Sequence, residues 1–264
     1  MNTDVTTSIA PTPASGDGVA RYVQQLMGMP ISLALRGRHA GDDVGRSAWA
    51  DVVTELRWVD RVFSTFRPDS YVSRLSRDEI AMADCPAEVA EVIALGAAAE
   101  RDSGGAFSIR RPGRNGMILD PSGVVKGWAV ERAARRLEAL AGTDYCLSAG
   151  GDLTCRTAAY NGVPWRIGIE DPADHTKVIA VIPVFTGAVA TSGCARRGQH
   201  IVDARTGQPP TGIASVTVVA RSLTEADIDA TAAYALGAVA PDWLRSRPGR
   251  SGLVMWADRG LTLF

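Results

Sequence analysis

Two oxygen-bearing side chains, four residues apart, are the first feature of this sequence that could support chemistry. Asp227 and Thr231 lie in the segment EADIDATAAYALG, and a helix would place them on one face. A carboxylate and a hydroxyl are hard oxygen donors of the kind that Mg²⁺ binds, together with phosphate oxygens. The alternative is a helix start with an acidic side chain and a mid-helix threonine. On this pair alone, that plain helix is favoured.

A lysine between two glycines is the second candidate. In DPSGVVKG, Gly123 and Gly127 permit close backbone approach, and Lys126 offers a point charge suited to phosphate. An ordinary helix-entry loop with a solvated lysine is the alternative. Lysine is scarce in the chain, because Lys177 is the only other one among 28 basic residues. This scarcity slightly favours a functional role for Lys126.

Two further glycine-rich segments carry polar side chains. In AGGDL, Gly150 and Gly151 end a strand, and Asp152 could accept a hydrogen bond from a ribose hydroxyl. A plain glycine turn is an equal alternative. In the segment ATSGCARRGQHIVDARTG, His200 is either a general base or a strand histidine with satisfied hydrogen bonds. Cys194 in this segment is either a reactive thiol or an incidental one.

The composition excludes several classes of protein. The chain has 264 residues, of which 46% are hydrophobic, so it can bury a sizeable core. A formal net charge of −1 argues against a nucleic-acid surface that works by neutralising phosphates. P-loop and GxGxxG fingerprints are absent, as are CxxC pairs and a membrane-spanning apolar run. The first 18 residues lack the basic start and apolar core expected of a signal peptide. We therefore expect a reduced, cytoplasmic protein that neither binds nucleic acid nor inserts into a membrane.

Hydrophobic periodicity predicts the elements that must position these residues. A Thr/Ser/Pro/Gly-rich stretch predicts a disordered leader over 1–18, and 19–264 is predicted to form one unit. Helices are predicted at 49–63, 71–75, 87–100, 124–140 and 224–238. Strands are predicted at 29–35, 145–149, 165–171, 178–185 (buried), 188–193, 214–222, 253–258 and 261–264, with further strands and turns in 200–207. Because strands and helices are mixed without regular βαβ alternation, the prediction is an α+β fold with mixed sheets and packed helices.

Taken together and in this order, these segments resemble the ApbE-like flavin transferases, which are FAD:protein FMN transferases. The matching strings are MGMPISL at 27–33, FSTFRPDSYVSRL at 63–75, GGAFSI at 104–109, LDPSGVVKGWAVERA at 119–133, AGGD at 149–152, WRIGIEDP at 165–172, VATSG at 189–193, HIVDARTGQP at 200–209 and ADIDATAAYALG at 226–237. Each string is weak by itself, but their common order from about residue 22 to the C-terminus is specific.

The resemblance implies an α+β, T-fold-like architecture of two lobes with FAD, the substrate, in a cleft between them. It implies a Mg²⁺ site formed by the Asp227 carboxylate, the Thr231 hydroxyl and the backbone carbonyl of Val125. It also implies that Phe66 stacks on the flavin. The other residues implied to contact FAD are Met27, Gly28, Lys126, Gly150, Gly151, Asp152, Ser192 and Gly193, with Glu170 and Asp171 at the adenosine end.

The implied reaction transfers FMN from FAD to a threonine hydroxyl of an acceptor protein and releases AMP. Lys126 would offset charge near the phosphates or order its loop, and His200 or Asp203 would orient or deprotonate the hydroxyl. The sequence departs from the family pattern at Ser148-Ala149 before GGD, at Cys194-Ala195 after TSG and at HIVDA. These departures concern the flavin or acceptor side, so two alternatives stay open: a Mg²⁺-dependent FAD pyrophosphatase, and a protein that binds FAD without turnover.

Overall fold

The structure is a computed structural model that describes residues 18–113, 116–158, 162–195 and 198–264. The predicted leader therefore lies outside the described residues, apart from Gly18. The strands in the described part are β1 Val19–Leu26, β2 Met29–Gly37, β3 Arg110–Gly113, β4 Gly116–Leu119, β5 Thr143–Ala149, β6 Asp152–Arg156, β7 Trp165–Asp171, β8 Asp174–Val184, β9 Thr186–Gly193, β10 Ile213–Ala220, β11 Ser251–Trp256 and β12 Leu261–Leu263. The helices are α1 Asp43–Phe63, α2 Tyr71–Ser76, α3 Ala87–Asp102, α4 Ser122–Glu138, α5 Leu223–Leu236 and α6 Ala240–Arg245.

A large antiparallel sheet is the scaffold of the molecule. Its strand order is β1-β2-β5-β6-β9-β10-β11-β12, and every neighbouring pair is antiparallel. Two separate hairpins, β3–β4 and β7–β8, complete the strands of the described residues. This mixture of antiparallel sheet and packed helices confirms the predicted α+β class.

The main core lies between the large sheet and the helices α1, α4 and α5. Strand β2 buries alternate side chains, Ile31, Leu33 and Leu35, as expected of a strand with one face on a core. Helix α4 packs on α1 and α5, and α5 packs on β9 and β10. Helix α4 is thus held between two other helices, and α5 lies directly on the sheet.

Helix starts follow their capping residues. The Asp42 side chain accepts the Gly45 N–H at 3.0 Å at the start of α1, and Ser70 accepts the Ser73 N–H at 3.0 Å at the start of α2. The Ser70 cap confirms the predicted short helix. Helix α1 begins six residues before Trp49, where its apolar periodicity starts, because the cap rather than the apolar stripe sets its first turn.

The β7–β8 hairpin has its own small core and corrects one prediction. Residues 178–184 form most of β8, but Val184 is the one buried residue among them: Val178 is 57% exposed, and Phe185, directly after the strand, is 50% exposed. A continuous apolar run is typical of a strand covered on both faces, whereas β8 pairs with β7 alone and packs one face on the large sheet. The small core consists of Leu153, Cys155, Ile169, Val184 and Val189.

Five of these strands and helices were not predicted. Strand β1 directly follows the leader, the β3–β4 hairpin has strands of four residues, β6 has five residues and α6 has six. These elements are too short or too polar to show a clear period. Residues 200–207 form turns with an isolated Asp203–Gln208 bridge, not a strand. No described helix combines the length and apolar character that a bilayer crossing requires.

Candidate functional site

A cleft of about 1520 Å³ brings most of the predicted site residues together. Its volume exceeds that of a usual drug-sized pocket, about 300–1,000 Å³, and leaves room for a dinucleotide. Its walls come from the end of α1, the loop after α3, the β3–β4 and β7–β8 hairpins, the segment 200–207 and the facing sides of α4 and α5.

The polar centre of the cleft is one lysine between two buried carboxylates. Lys126 Nζ pairs with Asp152 Oδ2 and lies 3.0 Å from Asp227 Oδ1. Both aspartates are only 1% exposed. Each carboxylate also accepts a backbone N–H at 2.8 Å, from Thr191 to Asp152 Oδ1 and from Gly127 to Asp227 Oδ2. Asp152 therefore faces Lys126 with one oxygen and Thr191 with the other, and it lines the cleft, where its hydrogen bond from a ribose hydroxyl stays a prediction.

The electrostatics of this centre are set by two acids that share one base. Burial raises the pKa of Asp227, the Lys126 ammonium lowers it and the Asp152 carboxylate raises it, and together these effects leave the pKa at about 6. Burial by itself would lower the pKa of Lys126, but the Asp227 and Asp152 carboxylates outweigh it and raise that pKa. The ammonium therefore stays charged, and the ionised centre carries an excess negative charge.

Oxygen donors suited to a hard cation surround this centre. Val125, Asp227 and Thr231 all line the cleft, and Ser192 Oγ lies 3.1 Å from Thr231 Oγ1. No group of three or more His, Cys, Asp or Glu side chains with metal-binding geometry occurs among the described residues. A mixed set of one carboxylate, hydroxyl and carbonyl oxygens suits Mg²⁺, which uses one or two carboxylates and retains waters. The donors and the excess negative charge thus fit a divalent cation.

The close approach of α4 and α5 depends on Gly127. A Cβ at this position would lie 2.7 Å from the Leu223 carbonyl oxygen and 2.8 Å from Asp227 Cβ. Real side chains do not tolerate such distances to backbone. The glycine in the predicted DPSGVVKG segment is therefore required by packing between the two helices, which brings Lys126 to Asp227.

Two adjacent tight turns form one end of the cleft. Met27 and Gly28 (φ 52° and 72°) join β1 to β2, and Gly150 and Gly151 (φ 60° and 108°) join β5 to β6. The Gly150 N–H donates to the Pro30 carbonyl at 3.2 Å, which ties the second turn to β2. All four turn residues line the cleft, as do the predicted contacts Phe66, Glu170, Ser192 and Gly193.

Two predicted site residues do not line the cleft. Asp171 is buried and pairs with Arg259, while its other oxygen accepts the Ala173 N–H at 2.9 Å. Asp203 receives the Arg205 guanidinium at two points, Nε to Oδ1 at 2.9 Å and Nη2 to Oδ2 at 2.7 Å. Both carboxylates are engaged by arginine, so the structure gives neither a contact with the cleft.

His200 differs from Asp203 in both position and partners. It lines the cleft, is exposed, and has Nδ1 3.0 Å from the Gly198 carbonyl oxygen. When Nδ1 donates the proton of the neutral ring, Nε2 is the acceptor nitrogen. The hydrogen bond from the Arg205 side chain lowers the pKa of Asp203, so this carboxylate is a weaker base than an ordinary aspartate.

Several polar residues of the cleft escaped prediction. Asp60 and Arg110 both line it. Asp60 lies four residues after the buried Leu56 and therefore on the apolar side of α1. An acid at such a position was the signal in the sequence that could have identified it. Arg110 begins a short hairpin whose only sequence mark is the Arg110-Arg111 pair.

Comparison with known proteins agrees with this architecture. The profile of the ApbE family matches residues 27–112 and 110–254. The FAD:protein FMN transferase of Escherichia coli K12 is 32% identical over 150 residues, 53% of this chain and 42% of that protein. The corresponding transferase of Klebsiella pneumoniae is 35% identical over 121 residues, 42% of this chain and 35% of that protein. The matched part thus spans about two fifths of these relatives.

Solved structures share the fold. The ApbE protein of Thermotoga maritima superimposes with a TM-score of 0.81 at 22% identity, covering 93% of this chain and 96% of that one. The flavin transferase ApbE of Vibrio cholerae gives a TM-score of 0.77 at 21% identity with the same coverage. Since the family profile extends over most of the residues that build the sheet, α4, α5 and the cleft, the chain belongs to the ApbE family.

Proposed function

We propose that this chain transfers FMN from FAD to a threonine hydroxyl of an acceptor protein, with Mg²⁺ bound, and releases AMP. The observation that carries the proposal is the Lys126–Asp152–Asp227 centre, which lies in a cleft of dinucleotide size. Curated relatives of this ApbE-family chain are FAD:protein FMN transferases. That name supports FAD as the substrate and a protein as the acceptor.

The metal would be held by the Asp227 carboxylate, the Thr231 hydroxyl and the Val125 backbone carbonyl. When bound, Mg²⁺ supplies positive charge to the phosphate oxygens of FAD. The raised pKa of Asp227 supports this assignment, because it reports a buried carboxylate with too little positive charge nearby. Lys126 holds Asp152 and Asp227 in place through its ammonium, so its role is to order the carboxylates.

The transfer itself makes one bond to phosphorus and breaks another. The threonine oxygen of the acceptor bonds to the FMN phosphorus, the bond from that phosphorus to the bridging oxygen breaks, and AMP leaves with that oxygen. The hydroxyl proton passes to Nε2 of His200. We assign this role to His200 because it lines the cleft, whereas Asp203 does not line it and its carboxylate is bound to Arg205.

The walls of the cleft would position the FAD. Phe66 is 96% exposed at the cleft and offers an aromatic face on which the flavin can stack. The turns at 27–28 and 150–151 present backbone that can approach the cofactor closely. Glu170 lines the wall formed by the β7–β8 hairpin and is assigned to the adenosine end.

Incubation with FAD, Mg²⁺ and a flavin-acceptor domain tests the proposal. We expect a fluorescent acceptor band and one AMP for each FMN transferred. Release of AMP and free FMN without an acceptor would instead show a pyrophosphatase that uses water as the nucleophile. Intact FAD that co-purifies with the protein, with no AMP formed, would show a binding protein and overturn the enzymatic assignment.

We also propose a cytoplasmic location. The described cysteines, Cys85, Cys146, Cys155 and Cys194, are free thiols, which is typical of a reducing compartment. Fractionation of cells that express the full chain tests this assignment, and recovery of the protein outside the cytoplasmic fraction would contradict it.

A further inference from the structure

One side of α4 is built to contact α5. Gly123, Gly127 and Glu131 are spaced by four residues, so they form a single stripe along the helix. The α5 residues that oppose this stripe run in the reverse direction. A Cβ at Gly123 would lie 3.8 Å from Thr231 Cγ2, Gly127 opposes Asp227, and Glu131 bonds to Thr224. The two helices are therefore antiparallel neighbours in a defined register.

Glu131 binds the first turn of α5 through one oxygen. Its Oε2 accepts three hydrogen bonds, from Ser222 Oγ at 2.7 Å, from the Thr224 N–H at 2.9 Å and from Thr224 Oγ1 at 2.5 Å. An anionic acceptor at a helix N-terminus gains from the unpaired N–H groups and from the helix dipole. These bonds fix the end of α5 that lies one turn before Asp227.

The bond from Gly127 to Asp227 is the counterpart of this contact. Asp227 of α5 accepts a backbone N–H of α4, and Glu131 of α4 accepts a backbone N–H of α5. Two reciprocal carboxylate–backbone bonds, one turn apart, fix both the sliding and the rotation of α5 against α4. That register determines where Asp227 and Thr231 lie relative to Val125 and Lys126.

We propose that Glu131 is a positioning residue for the metal and FAD site. It does not line the cleft and acts through α5, whose register it sets. This inference rests on the proposed function, since the site it positions is the proposed Mg²⁺ site. Loss of a residue that orients metal ligands lowers metal affinity by about 10- to 100-fold, and we expect at least a tenfold loss for Glu131→Ala.

Glu55 provides a matched control on the opposite side of α4. Its carboxylate on α1 accepts from Arg132 Nε at 2.5 Å and from Arg136 Nη2 at 2.7 Å. Glu55→Ala therefore also removes a carboxylate that ties α4 to a neighbouring helix, but it leaves α5 untouched. Glu131→Gln keeps an oxygen that can accept a hydrogen bond from Thr224, so it should retain part of the Mg²⁺ affinity that Glu131→Ala loses. It replaces Glu131→Ala in the test if that variant does not fold.

The experiment measures binding of MgCl₂ by calorimetry, with and without FAD, and hydrogen exchange of residues 122–131 in the full chain. We expect Glu131→Ala to weaken Mg²⁺ binding at least tenfold and to speed exchange at Gly127. Glu131→Gln should show a smaller loss, and Glu55→Ala should bind within twofold of wild type whatever its thermal stability. Equal Mg²⁺ affinity in Glu131→Ala and wild type, or an equal loss in Glu55→Ala, would overturn the positioning role.

Failure of the proposed function and failure of the positioning role give different results. If the wild type neither binds Mg²⁺ nor transfers FMN, the proposed function is wrong and the positioning role falls with it. If the wild type binds Mg²⁺ and transfers FMN, but the Glu131 variants have the same Mg²⁺ affinity as Glu55→Ala, only the positioning role is wrong.

Discussion

Helix α5 carries two buried aspartates, two residues apart, whose surroundings differ in one respect. Asp227 and Asp229 are each 1% exposed. Asp229 accepts from Arg250 Nε at 2.6 Å and pairs with Arg247 Nη2 at 3.2 Å, so its carboxylate contacts two guanidinium groups. Each of these guanidiniums also pairs with one more exposed acid, Arg247 with Asp102 and Arg250 with Glu225. On the cleft side two carboxylates share one cation, because Asp227 and Asp152 both pair with the ammonium of Lys126.

The difference separates a structural acid from a functional one. The Asp229 carboxylate has a cation on each oxygen and ties α5 to the segment before β11. A buried carboxylate with half a counter-charge costs stability, and its raised pKa of about 6 marks that cost. Its place in the cleft supports the proposal that a bound cation supplies the missing charge. The same helix therefore contributes to stability on one side and to the site on the other.

Asp227→Asn should give the largest effect. The amide keeps an acceptor for the Gly127 N–H but removes the charge that would hold Mg²⁺, and metal catalysis is worth several kcal/mol. We expect the rate of FMN transfer to fall by about 10³-fold and the free energy of unfolding to stay within about 1 kcal/mol of wild type. Acceptor fluorescence and urea denaturation measure the two quantities. Full Mg²⁺-dependent transfer by this variant would show that Asp227 is not a ligand.

Asp229→Asn makes the same substitution at the other buried aspartate of α5. It leaves the Arg247 and Arg250 guanidiniums beside a neutral amide, and removing one partner of a buried ion pair costs about 3–5 kcal/mol. We expect a loss of about 3 kcal/mol in urea denaturation and near wild-type transfer per folded molecule at low temperature. A variant as stable as wild type would remove the proposed contrast between the two aspartates.

Gly127→Ala tests whether the contrast depends on close helix packing. The added methyl would overlap the Leu223 carbonyl and Asp227 Cβ, and overpacking costs about 1–3 kcal/mol. We expect that loss of stability together with weaker Mg²⁺ binding. Gly41→Ala is the control, because a Cβ there has nothing within 4 Å. Equal behaviour of the two variants would show that α4 can move away from α5 at no cost.

Phe66→Ala should give the smallest effect and affect binding alone. The ring is 96% exposed, so its loss should change the free energy of unfolding by no more than about 0.5 kcal/mol. Loss of stacking on the flavin should weaken FAD binding by about tenfold, since aromatic stacking is worth about 1–3 kcal/mol per base. Phe66→Tyr should bind FAD as wild type does. Unchanged FAD affinity in Phe66→Ala would place the flavin elsewhere.

Local patterns predicted much of this fold. The apolar spacing from Trp49 to Phe63 and the cap at Ser70 gave α1 and α2 because both signals lie within one or two turns of the chain. The spacing of Asp227 and Thr231 likewise placed both on one helix that lines the cleft. Such features need only the residues that form them.

Contacts between distant segments could not be predicted in this way. Nothing near Lys126 indicates that its ammonium meets Asp152 and Asp227, or that Glu131 bonds to Thr224 ninety-three positions later. The exposure of Val178 was missed for the same reason, since burial depends on which sheet covers a strand. Only the folded chain shows that Asp171 and Asp203 each pair with an arginine and do not line the cleft.

Mass spectrometry of an acceptor domain co-expressed with this chain is the most direct test of FMN transfer. We predict that the acceptor gains FMN on a threonine with the wild type and with Asp229→Asn at low temperature, and remains unmodified with Asp227→Asn. An unmodified acceptor beside wild-type protein with intact FAD, across several acceptors, would contradict the proposed transfer. An FMN adduct of equal yield with Asp227→Asn would contradict the assigned site.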